Sequence, residues 1–163
     1  MARRVFFSFH FDRDILRVGQ IRNSGIVLAP GDTSSGFTDS ASWESVKKQG
    51  DAAVKRWIDN ELNGTSVTVV LIGSETANRD WINYEIIESV KRKNGLLGVY
   101  IHNVKDLNLR TDVQGANPFD YIKWNNGQGA PLSGTYPTYD WVLNSGRQNL
   151  STWVEQAAKA AGR

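Results

Sequence analysis

No cysteine occurs among the 163 residues, which excludes disulfides, thiolate metal sites and a cysteine nucleophile. Histidine is scarce too, with only His10 and His102 in the chain. Two histidines at unrelated positions do not make a metal pair, and no metal site is expected. No apolar run approaches the roughly 20 residues of a membrane span. The basic opening "MARRVFFSFHFDRD" has its apolar stretch interrupted by His10 and Asp12, too soon for a signal peptide. A cytoplasmic protein without membrane contact is the expectation. An excess of one charge sign is missing as well: 19 Lys and Arg face 17 Asp and Glu, for a net charge of +2. The basic "VKRKNG" closes a helix, where cations suit the macrodipole. A protein that tracks nucleic-acid phosphates shows a denser basic stripe, so no nucleic-acid partner is expected.

Several motifs are also missing. No glycine pattern opens the first helix, and the chain lacks GxxxxGK[ST], HExxH and GxSxG. Hydride transfer on a dinucleotide fingerprint, phosphate-loop chemistry, zinc proteolysis and serine hydrolysis therefore have no support. A phospho-acceptor receiver fits poorly too. Asp12 and Asp14 lie past the end of the first strand, and the third strand ends in Gly73-Ser74.

What the chain does have is an ordinary globular balance, 40% hydrophobic and 22% charged, and a length that suits a single domain spanning 1–163. Six Trp and five Tyr leave some aromatics available as stacking surfaces. "RVFFSFH" reads as a buried first strand, and "DRDILRVGQIRNSG" as a helix that stops at Gly25. "IVLAPGDTSSGFTD" reads as a loop, with a short strand at its start or around Phe37. From Ser42, "SWESVKKQGDAAVKRWIDNELNG" predicts one helix with Trp43, Val46, Ala53, Val54, Trp57, Ile58 and Leu62 on a single face. Gly50 weakens it by about 1 kcal/mol relative to Ala, and Gly64 closes it. "TSVTVVLIG" and "LLGVYIH" are almost unbroken apolar runs, the pattern of strands buried on both faces. "NPFDYIKW" predicts a short strand whose "NPFD" start forms a turn, with Asp120 bonding backbone amides. "NNGQGAPLSGTYPT" predicts a surface loop. "NLSTWVEQAAKAAGR" predicts a closing helix capped by Asn149 or Ser151, with Trp153 packing it down.

Strands alternating with helices imply an α/β, flavodoxin-like three-layer sandwich: a central parallel sheet with helices on both faces. Ligands of such folds bind beyond the carboxyl ends of the strands. The informative segments are then Ser8 to Asp14, Ser74 to Asp80 and His102 to Asp106.

The helix in "NRDWINYEIIESVKRKNG" starts at one of these exits. At 100° per residue Ile82, Ile86 and Val90 form its sheet-facing stripe, with Trp81, Glu85 and Glu88 along the flank. Glu88 has Arg92 four residues on as a pairing partner. Glu85 has no such partner. An indole one turn away can wall a pocket and partly desolvate the carboxylate. On spacing alone, an ordinary boundary glutamate is the plainer reading.

Together, "VFFSFHFDRD", "SETANRDWINYE" and the strand–helix order resemble a Toll/interleukin-1 receptor (TIR) domain. "GFTDSASWES", "LNGTSVTVVLIGSETANRDWINYEI", "NPFDYI" and "YDWVLNSG…LSTWV" resemble more closely the TIR-like signalling subunits of the Thoeris anti-phage defence system. The resemblance implies an enzyme that breaks the nicotinamide–ribose bond of NAD and makes a cyclic ADP-ribose-type signal. That diffusible signal would reach a separate effector protein. The resemblance places the catalytic carboxylate at Glu85, four residues after Trp81. It also implies substrate contacts from Ser8, Phe9, His10, Asp12, Arg13, Asp39, Trp43, Ser74 and Trp81. Ser8 and Phe9 are also readable as a strand cap and a core residue, and Trp43 as core. NAD is the substrate and no cofactor is implied. Self-association with like TIR domains is implied, with the isolated chain weakly active or silent. The competing readings are a non-catalytic TIR-type scaffold and a domain that binds a nucleotide signal without turning it over.

Overall fold

The computed structural model describes residues 3–22, 33–35 and 40–163, with the side chains of 22, 33–35 and 40–43 left outside that description. Five parallel strands form one sheet in the order β2-β1-β3-β4-β5. They are β1 (Arg4–Phe9), β2 (Thr33–Ser35), β3 (Val67–Ile72), β4 (Gly95–Tyr100) and β5 (Thr138–Asp140). The α/β parallel architecture read from the sequence is the one observed, and β1, β3 and β4 occupy the interior as their apolar runs require. All six residues of β3 are buried.

Alternation along β1 distributes the core. Val5, Phe7 and Phe9 pack on one face with α1 (Phe11–Arg22) and α5 (Gly146–Ala160). Phe6 packs on the other face with Val54, Ile58 and Leu62 of α3 (Asp51–Leu62). On that same face Val70 and Ile72 of β3 meet Ile82 and Ile86 of α4 (Asp80–Lys91). Successive strand residues point to opposite faces, so Ser8 shares Phe6's side and looks toward α4.

Four expectations need correction. The long helix from Ser42 is two helices, α2 (Ser40–Lys48) and α3, separated at Gly50. Gly50 has φ 94, a left-handed value that glycine adopts freely and a helix cannot continue through. "NPFDYIKW" is not a strand. Pro118–Asp120 is a 3-10 turn in which Asn117, not Asp120, does the capping: its Oδ1 accepts from Phe119 N at 3.0 Å. The last helix begins at Gly146, ahead of the expected Asn149 or Ser151 cap, with Ser145 at φ 52 before it. A Cβ at 146 would overlap the Trp141 ring, so glycine lets the chain turn there. Finally, β5 lies in "TYD", partly inside the stretch read as loop. Trp153 does pack the last helix, stacked on Tyr139 with centroids 4.1 Å apart. Among the described residues no helix is long and apolar enough to cross a membrane.

Candidate active site

The carboxyl end of β1 and the starts of α1 and α4 enclose a cleft of about 270 Å³. Phe6, Phe9, Phe11, Trp57, Trp81 and Ile82 form its aromatic and apolar side, and Glu85 lines it with charged groups at its edge. The sequence accounts for the placement. Ile82, Glu85, Ile86 and Ser89 are the buried residues of α4, an i, i+3, i+4, i+7 stripe. Glu85 is therefore on the sheet-facing side, 6% exposed, rather than on the flank where the 82–86–90 stripe would leave it. Trp81 stays half-buried at the mouth, edge-to-face with Tyr84 at 6.1 Å.

Burial pushes the Glu85 acid up to about 8. The Ser8 hydroxyl, wholly buried at the end of β1, is the one group among the described residues favouring the charged form. Even so, among the described residues Glu85 Oε2 and Ser8 Oγ both lack a hydrogen-bond partner of good geometry. An unsatisfied buried carboxyl is costly, and such groups concentrate at functional sites. His10 is half-buried in the same cleft and its titration is lowered, first by burial and then by Arg79.

Of the residues proposed from sequence, Phe9, His10, Asp12, Trp81 and Glu85 converge on the cleft, with Ser8 behind Glu85. Arg13 and Ser74 do not line it. They bind each other, Arg13 Nε donating to Ser74 Oγ at 2.6 Å, and both engage Asp112. Arg13 also pairs with Glu75 at 3.2 Å. This network ties the loops after β3 and β4 to α1. Asp39 lies outside the described residues, as does the side chain of Trp43 on α2. Glu88 pairs with Lys91 at 3.3 Å instead of Arg92, whose guanidinium turns to Asn63 and Asp59 on α3.

Sequence reasoning missed Lys47, Trp57, Arg79 and Asp80, all of which line the cleft. Arg79 and Asp80 stand directly before Trp81 in the motif already singled out, a usable signal. Lys47 and Trp57 reach the site only through the packing of α2 and α3. Lys47 Nζ lies 2.9 Å from Glu44 and 3.4 Å from Asp12, bridging α2 to α1 at the mouth. Two larger hollows, about 520 and 580 Å³, have no acidic residue in their linings. Chemistry, not size, singles out the smaller cleft. Among the described residues no cluster of three or more His, Cys, Asp or Glu could hold a metal ion.

Comparison with known proteins bears on the same elements. Residues 6–106 match the family described as "Thoeris protein ThsB, TIR-like domain", a span that runs from β1 past β4 and includes Glu85. A protein of Bacillus cereus (strain MSX-D12) named "Putative cyclic ADP-D-ribose synthase ThsB1" is 37% identical over 193 aligned positions. The alignment covers 94% of this chain and 100% of that relative. The chain belongs to the ThsB TIR-like family of Thoeris proteins.

Proposed function

We propose that this protein cleaves the nicotinamide–ribose bond of NAD and closes the ADP-ribosyl product into a cyclic signal for a separate effector in anti-phage defence. The observation that carries the reading is Glu85, a buried carboxyl with no cationic partner among the described residues, facing an aromatic cleft at the carboxyl edge of the sheet. The name of the Bacillus cereus relative supports the cyclic product.

In this scheme the cleft takes the nicotinamide riboside end, since its volume is small for a whole dinucleotide. Phe9 and Trp81 wall the ring. As the bond from the anomeric carbon to the ring nitrogen breaks, its electron pair leaves with nicotinamide, now neutral. The ribosyl carbon takes on oxocarbenium character, which an ionised Glu85 beside it stabilises. A nucleophile on the same ADP-ribose then attacks that carbon and loses its proton, closing the ring. Water at the same carbon gives ADP-ribose instead, and the aromatic walls disfavour it. No cofactor takes part.

Mass spectrometry of NAD incubated with purified protein tests this. Free nicotinamide and a product of ADP-ribose mass less one water are expected. Intact NAD across the full range of soluble protein concentration would replace this reading with a scaffold.

A further inference from the structure

The cleft withholds positive charge from its own acid. The charged and titratable groups around Glu85 are His10 at the β1 exit, Asp12 on α1, Lys47 on α2, and Arg79 and Asp80 at the start of α4. Lys47 is engaged by Glu44 and Asp12, and Arg79 by Glu75 at 3.8 Å. Burial first and then Arg79 disfavour the charged form of His10. The stretches outside the described residues contribute no lysine or arginine, save Arg22 at the last position of α1. Among the described residues Glu85 has no cation against it and only the neutral Ser8 hydroxyl beside it, and apolar surroundings penalise an isolated charge.

We propose that Glu85 is an uncharged acid in the empty cleft and releases its proton when a cationic N-ribosylpyridinium binds, the ligand itself being the missing counter-ion. The proposal rests on the NAD reading above and deepens it into a rule of selectivity. A pyridinium carries a fixed positive charge and has no proton to lose. Placed beside Glu85, it favours the carboxylate, and the proton leaves to solvent. The same step readies the carboxylate for the developing ribosyl cation. A dihydropyridine of nearly the same shape is neutral and offers no such gain. The site therefore selects the oxidised over the reduced dinucleotide, by up to about tenfold in affinity for each unit by which the ligand depresses the acid, less the cost of first removing its proton.

Calorimetric titration of the full chain with a non-cleavable carbocyclic NAD analogue, in two buffers of different protonation heat (PIPES and Tris), tests this. An acid titrating at about 8 is about nine-tenths protonated at pH 7, so about 0.9 proton should be released per analogue bound, and only about 0.1 at pH 9. Glu85→Gln should bind with heats that no longer depend on buffer, which separates Glu85 from His10. NADH should bind at least about tenfold more weakly than the analogue. Binding with buffer-independent heat, or release that persists in Glu85→Gln, overturns the proposal and leaves the NAD site standing. Absence of any binding at millimolar analogue removes the NAD reading and this proposal together.

Discussion

Ser8 at the end of β1 faces Glu85 on the second turn of α4, and its hydroxyl is the one group among the described residues that favours ionisation of that acid. Both are buried, Ser8 completely. Ser8→Ala removes that help without changing the shape of the apolar walls. If kcat/KM rises with pH as Glu85 ionises, its midpoint near 8 should move upward in Ser8→Ala. A pH–rate profile with an unchanged midpoint would make Ser8 a strand residue with no tie to the chemistry.

Glu85→Gln should lower NAD turnover by about a hundredfold or more, the scale of losing a key electrostatic stabiliser. It should also raise stability. Folding lifts this acid from 4.5 to about 8, so between those values the folded state holds a proton that the unfolded state has released. Stability is fully present below the lower value and declines as pH rises toward 8, by at most about 1.4 kcal/mol per pH unit from this group. Melting curves from pH 5 to 8 should therefore diverge, with the Gln variant increasingly the more stable. Parallel curves would place Glu85 in contact with water.

Glu88→Gln is the contrasting substitution. Its pairing with Lys91, whose side chain is 67% exposed, is worth a few tenths of a kcal/mol at most. Activity should stay within about threefold of the parent and the melting temperature almost unchanged. A hundredfold loss here would shift the catalytic assignment from one glutamate to the other.

A Cβ at position 73 would fall inside the carboxyl group of Asp14, itself wholly buried beneath the end of β3. Gly73→Ala should destabilise by about 1–3 kcal/mol through overpacking. Gly19, inside α1, has open space around it, and Gly19→Ala should gain up to about 1 kcal/mol of helix propensity. In an Asp14→Ala background the cost of Gly73→Ala should shrink. Chemical denaturation of the four variants measures all of these, and an undiminished cost would assign the strain to backbone instead.

Activity per mole of protein should rise steeply with protein concentration if a neighbouring copy completes the site, as the TIR resemblance implies. Assays over a hundredfold dilution series with parallel sedimentation measure this. A flat dependence in a monomer would make the cleft self-contained.

The layers were legible in the amino-acid pattern alone. A strand buried on both faces must be apolar at successive positions, so "RVFFSF", "VTVVLI" and "LLGVY" announce β1, β3 and β4 whatever surrounds them. The four-residue step from Trp81 to Glu85 is local helical geometry and was legible in the same way. Depth and partnership were not. Glu85 is buried because α3 and the end of β1 close over one stripe of α4, and Arg92 leaves Glu88 because Asn63 and Asp59 of α3 stand within reach. Three-residue β5 carries almost no pattern of its own and exists because β4 presents an unpaired edge. Arg13 and His10 are three positions apart in sequence, yet His10 enters the cleft while Arg13 turns away to Ser74 and Asp112. Periodicity tells a residue which side of its own element it occupies. What stands opposite is decided by chain segments far away in sequence, and that only the tertiary structure supplies.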